Sequence, residues 1–133
     1  MTTRVRAGWA LLLVGLATAP ACVVAAAGAG AGAGVYLTSR GAESQVDNSI
    51  DRVAARTQAV FREMKIEETG SSTEHGGAER EFHGKKDDLE VTVKLERKGP
   101  GSTNVEVSAR KNIAEWDKDF AKRVLAKIAG GKE

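Results

Sequence analysis

Residues 89–109 read Leu89-Glu-Val-Thr-Val-Lys-Leu-Glu96, then Arg97-Lys-Gly-Pro-Gly-Ser-Thr103, then Asn104-Val-Glu-Val-Ser-Ala109. In the first block Leu89, Val91, Val93 and Leu95 alternate with Glu90, Thr92, Lys94 and Glu96. A period of two sends successive side chains to opposite faces, so this block is a strand with one buried and one wet face. Val105, Val107 and Ala109 resume the alternation against Asn104, Glu106 and Ser108. Between the two blocks, Lys98-Gly-Pro-Gly-Ser102 is turn chemistry, and the strands should pair as an antiparallel hairpin.

A hairpin with one apolar face is unstable until something covers that face. Two amphipathic segments are available. Upstream, Val46, Ile50, Val53, Thr57, Val60, Phe61 and Met64 fall on one helical stripe, with Arg52, Arg56, Arg62 and Glu63 opposite. Asp47, Asn48 and Ser49 offer capping oxygens, and Asp51 suits the positive end of the helix dipole. A helix is expected over about 48–64. Downstream, Ile113, Trp116, Phe120, Val124 and Ile128 form a second stripe, widened by Leu125. Asn112 and Glu115 have capping-box spacing, and Gly130-Gly131 should end that helix.

Weaker strands are expected at 65–72 and 78–85, around a turn at His75-Gly76-Gly77, and another within 35–46. The reading is an α+β domain in the order β-α-β-β-β-β-α. It has a small antiparallel sheet of about four to five strands, with two amphipathic helices packed on one face. Phe61, Phe82, Trp116 and Phe120 are its expected core anchors.

The N-terminal third is of another kind. Ala7 to Ser39 holds no charge, and it contains Cys22, the single cysteine of the 133-residue chain. Residues 1–8 are a basic leader with Arg4 and Arg6, and Trp9 to Ala17 is an apolar run. That run is too short for a bilayer, which needs about 20 residues. Thr18-Ala-Pro-Ala21 is a small-residue cleavage region, so residues 1–21 read as a signal peptide. Ala19-Pro20-Ala21 suits general secretory cleavage. It also resembles a lipobox, whose following cysteine, here Cys22, becomes the acylated (palmitate-bearing) N-terminus. The leading expectation is lipid attachment at Cys22; soluble secretion and an uncleaved anchor are the alternatives.

Residues 22–40 then form an Ala/Gly-rich apolar spacer, and 41–133 the α+β domain. Gly28, Gly30, Gly32 and Gly34 carry overlapping G-x-x-x-G spacing, the pattern of closely packed membrane helices, so a membrane-spanning oligomer is the second reading. The bland reading of the same run is a flexible tether. Its formal match to a dinucleotide-binding glycine pattern lacks the strand and helix that such a motif requires.

The pattern as a whole resembles a family of short bacterial envelope lipoproteins, domain of unknown function 3568. The residues carrying the resemblance are Cys22, the Ala25–Gly34 run, Val35-Tyr36-Leu37, Ser49-Ile50-Asp51-Arg52-Val53, Leu89–Leu95, Thr103–Val107 and Phe120–Ile128. Departures from the family pattern are Ala19-Pro20 ahead of the cysteine and Ala54 where a bulky aromatic is common. The resemblance implies a lipid-anchored protein of the cell envelope, at the outer membrane where one exists. By analogy it implies a scaffold role beside other envelope proteins, and it supplies no catalytic residues.

Composition excludes further classes. The net charge of +2 is accounted for by Arg4 and Arg6, so the remainder is neutral and carries no basic footprint for nucleic acid. A single cysteine excludes an internal disulfide and a cysteine-rich zinc site. His75 and His83 are the only histidines. Facing one another on paired strands beside Glu74 or Glu81 they could bind zinc, which makes a secreted metal-binding or hydrolytic domain the third reading, though solvated surface histidines are the commoner case. Glu67-Glu68 and Asp87-Asp88 sit in strand ends or turns. No nucleophile motif, zincin motif or P-loop occurs. The expectation is therefore a non-enzymatic protein without cofactor, metal or small-molecule substrate.

Overall fold

The computed structural model describes residues 34–130. The expected signal peptide, Cys22 and most of the expected glycine-rich spacer lie outside the described residues. Within them, the chain runs β1 (Tyr36–Leu37), β2 (Gly41–Val46), α1 (Ile50–Glu63), β3 (Glu67–Glu74), β4 (Glu79–Lys86), β5 (Leu89–Gly99), β6 (Ser102–Arg110) and α2 (Lys118–Ile128). The fold is α+β, and its sheet has six strands in the order β1-β2-β6-β5-β4-β3, every neighbouring pair antiparallel.

Six strands replace the expected four to five because the segment 35–46 is broken in two. The Thr38 hydroxyl accepts from the Gly41 amide at 3.0 Å, and the Thr38 amide donates to the Gly41 carbonyl at 2.9 Å. These bonds close a tight turn that folds Tyr36–Leu37 back onto β2. Hydropathy carries no mark of such a turn, since Thr38 and Ser39 are equally at home in a strand.

The central hairpin forms as its alternation demands. Val91 lies opposite Ala109, Val93 opposite Val107 and Leu95 opposite Val105. All six are at most 1% exposed. β2 extends the same face with Ala42 and Val46, and β4 with Phe82. Each fully buried Val, Leu or Phe contributes about 1.5–3 kcal/mol over an exposed one, so this face and its cover supply most of the fold's stability.

Both helices lie on that face. α1 crosses it from β6 to the far edge at β3, burying Ile50, Val53, Ala54, Thr57, Val60 and Phe61. Its predicted stripe is thus the buried one, except that Val46 belongs to β2 and Met64 is the C-cap. Ser49 caps the helix by accepting from the Arg52 amide. α2 covers β2 and β6, where the small Ala42, Ser44 and Ala109 leave room for Phe120, Val124, Leu125 and Ile128.

The second helix starts later than its capping-box spacing suggests. Asp117 is the cap, accepting from the Phe120 amide at 2.8 Å. Asn112 instead accepts from the Ala114 amide at 3.0 Å and donates to Glu115 at 3.1 Å, a local loop that competes with helix. Ile113 is therefore 95% exposed. Trp116 leaves the core as well, forming a lone bridge with Arg110 at the end of β6. Gly130, at φ +87°, ends the helix in the left-handed conformation that favours glycine. Phe61, Phe82 and Phe120 are buried as expected.

Candidate functional site

With both helices on one face, the other face of the sheet is uncovered by any described element. The alternation that buries Val91 and Val107 necessarily directs their neighbours outward, and the register sorts these outward side chains into rows. One row runs Glu43, Glu106, Lys94, Glu81, Ser72 across β2, β6, β5, β4 and β3. The next, toward the β3–β4 turn, runs Gln45, Asn104, Glu96, Glu79, Glu74. On the other side lie Gly41, Ser108, Thr92, His83, Gly70, and then Arg110, Glu90, Lys85, Glu67.

The rows divide the face into an acidic end and a mixed end. Glu43 faces Glu106 directly, Glu79 faces Glu96, and Glu74 faces Glu79. Like charges directly opposite one another destabilise a sheet. Neighbours offset part of this cost. Asn104 donates to Glu43 at 2.7 Å, Lys98 pairs with Glu96 at 2.7 Å, and Lys94 lies 3.8 Å from Glu81. A groove of about 390 Å³ runs along the acidic end between Ser72, Glu79, Glu81, Lys94 and Glu106.

At the mixed end a second groove of about 430 Å³ is lined by Arg40, His83, Lys85, Thr92, Arg110 and Trp116. The Arg40 guanidinium lies 5.6 Å from the centre of the Trp116 ring, a cation–π contact that fixes both at the rim. Arg110 holds Glu90 by two donors, and this pairing pushes the Glu90 carboxyl below its ordinary range. Glu63, on the helical side, is pushed down in the same way by Lys127. A general acid working at neutral pH needs the opposite shift.

The two histidines do not come together. His75 lies in the β3–β4 turn, 3.3 Å from Glu79, whereas His83 is on β4 opposite Gly70. The turn itself forces this: His75, Gly76 and Gly77 all have positive φ, so His75 belongs to the reversal and not to a paired strand. His83 sits 3.1 Å from Glu81 and 3.3 Å from the Thr92 hydroxyl. Among the described residues, the set able to offer metal donors together is Glu74, His75 and Glu79, whose donor atoms lie within 4.8 Å of one another, all exposed. Of the expected carboxylate pairs, Glu67-Glu68 opens β3 and Asp87-Asp88 forms the β4–β5 turn, both exposed. Sequence reading marks the wet positions of β5 and β6 but not Glu43 or Arg40. Only the pairing of β2 with β6 brings those two beside them.

The family model described as a protein of unknown function (DUF3568) matches residues 5–129. The chain belongs to this family. A comparison with curated proteins returns no match. No helix among the described residues is long and apolar enough to cross a membrane. The glycine-run alternative concerns residues outside the described ones.

Proposed function

We propose that this DUF3568 protein is a non-enzymatic, lipid-anchored protein of the bacterial cell envelope, in which the uncovered sheet face serves as an interaction surface. Residues 1–21 direct export, Cys22 carries the lipid, and the Ala/Gly-rich spacer that runs from it to residue 40 tethers the domain. The observation that carries this reading is the position of Cys22. The chain's one cysteine directly follows Ala19-Pro20-Ala21, and eleven residues separate it from Gly34, where the described residues begin. The family match supports it, because it begins at residue 5 and so takes in the leader together with the domain. Two acyl chains hold a protein on a bilayer stably where one does not, which gives acylation a physical purpose.

Intact mass of the mature N-terminus tests the reading. Expected is loss of residues 1–21 with a diacyl or triacyl mass on Cys22, and detergent-phase partitioning that Cys22→Ser abolishes. An unacylated N-terminus at residue 22, or partitioning unchanged in Cys22→Ser, overturns the anchor. A full-length mass would favour the membrane-spanning glycine segment instead.

A further inference from the structure

We propose that the outer edge of β3 is a docking strand, which accepts an extended lysine- or arginine-bearing segment of another polypeptide as a seventh strand of the sheet. This deepens the reading of the domain as an interaction module, and it is independent of lipid attachment.

The first observation is the edge itself. β3 ends the sheet, and among the described residues it pairs with β4 alone. It is eight residues long and exposed throughout except for the half-buried Gly70. In an antiparallel strand, every second residue turns its N–H and C=O away from its partner, so this edge presents a row of unpaired donors and acceptors. Proteins usually blunt such an edge by shortening it, or by adding charged side chains (lysine above all), proline or a bulge. The opposite edge is treated in that way: β1 is two residues long. β3 has neither proline nor lysine, its charges (Glu67, Glu68 and Glu74) stand at its two ends, and its irregularity lies between Glu68 and Gly70. That leaves Gly70 to Glu74 in unbroken register with β4.

The second observation is charge, and it selects the occupant. β3 carries Glu67, Glu68 and Glu74 and no cation. The row beside it continues the acidity through Glu79 and Glu96. A second copy of the strand is a poor partner. Pairing two β3 edges brings the three glutamates of one copy against the three of the other with no cation on either strand, and like charges set against one another are unfavourable. An extended segment with cations at alternate positions has no such conflict. Its backbone takes the free edge groups, while its cations meet Glu74 and Glu79 on the open face. In strand addition of this kind, main-chain bonds supply affinity and alternate side chains supply specificity.

The test uses the full chain purified in detergent and three synthetic octapeptides. One alternates lysine and valine, one has glutamate for lysine, and one is the lysine peptide with alternate backbone nitrogens methylated. Expected is binding of the lysine peptide by fluorescence anisotropy, with slowed amide exchange confined to residues 67–74 and their immediate neighbours. The glutamate and N-methylated peptides should bind at least tenfold more weakly. The exposed triple replacement Glu67→Lys, Glu68→Lys, Glu74→Lys should reverse the preference between lysine and glutamate peptides. Cys22→Ser should leave all of this unchanged, which separates the docking strand from the anchor. The proposal is overturned by equal binding of the N-methylated peptide, which would mean charge attraction alone. It is also overturned by protection on β2 and β6 in place of β3, by no binding, or by concentration-dependent β3 protection without peptide, the signature of a second copy.

Discussion

The Thr103 side-chain hydroxyl donates to the Asn48 carbonyl at 2.9 Å, joining the start of β6 to the residue that precedes the cap of α1. Thr103 is fully buried, so its hydroxyl has no water to fall back on. Thr103→Val keeps the shape but leaves that carbonyl without the donor, a loss of about 1 kcal/mol. Thr57→Val is the contrast. The Thr57 hydroxyl is equally buried and donates to the Val53 carbonyl at 2.9 Å, an acceptor that keeps its helical partner. The expected result in urea is a lower midpoint for Thr103→Val at unchanged slope, and a much smaller shift for Thr57→Val.

At Gly84 the end of α1 and the start of β3 close tightly on the sheet. A methyl group there would lie 2.9 Å from the Phe61 ring and 3.0 Å from the Glu67 carbonyl oxygen, with Ile66 nearer still. Gly84→Ala should therefore cost about 1–3 kcal/mol through overpacking. Gly70 on the neighbouring strand has nothing within 4 Å of the same position, so Gly70→Ala should be neutral or slightly stabilising. Thermal melts of the two variants side by side measure the difference. Equal melting temperatures would show that α1 does not press on the sheet at Gly84.

The behaviour of these glycines explains what the sequence can and cannot convey about this fold. Alternation at 89–95 and 105–109 and the stripe from Ile50 to Phe61 each reflect one element's own burial, and they survive intact in the structure. The split of residues 35–46 depends on a Thr38 turn whose hydrogen bonds have no hydropathy signature. The late start of α2 depends on Asn112 satisfying its own loop, which displaces Ile113 and Trp116 from the stripe they complete on paper. The open face was half legible. Wet positions on β5 and β6 follow from periodicity, but their assembly with Glu43, Glu81 and Glu79 is a property of the pairing order. That order is non-local: β2 meets β6, more than fifty residues away.

Glu90 gives the pH dependence a sign. Its carboxyl is pushed below its ordinary value of 4.5, chiefly by the hydrogen bond from Arg110 and next by that residue's charge. A group lowered in the folded state contributes stability that is fully present above the ordinary value and is lost as pH falls through the lowered one. Both partners are about half exposed, so the gain is small and falls further as salt is added. The sharper measurement is the side-chain carboxyl chemical shift of Glu90 against pH. Its midpoint should lie below the ordinary value in the parent protein and rise toward it in Arg110→Gln. A midpoint that ignores Arg110→Gln would dissolve the pair in solution.

The start of α2 gives the clearest separation of two caps. If Asp117 is the cap, Asp117→Ala removes the acceptor of the Phe120 amide and one favourable charge at the dipole's positive end. The cost should be about 0.5–2 kcal/mol. Because α2 buries Phe120, Val124, Leu125 and Ile128 over β2 and β6, that loss should register in global unfolding and not only as fraying. Asn112→Ala disturbs only an exposed loop and should fall within about 0.5 kcal/mol of the parent, as should Ile113→Ser at its 95% exposed site. Were the helix instead capped at Asn112, Ile113 would join the buried stripe, and the order of the three variants would invert. Urea midpoints for the three replacements decide between the two arrangements. Asp117→Asn, which keeps the cap oxygen but not the charge, divides the effect between hydrogen bond and dipole.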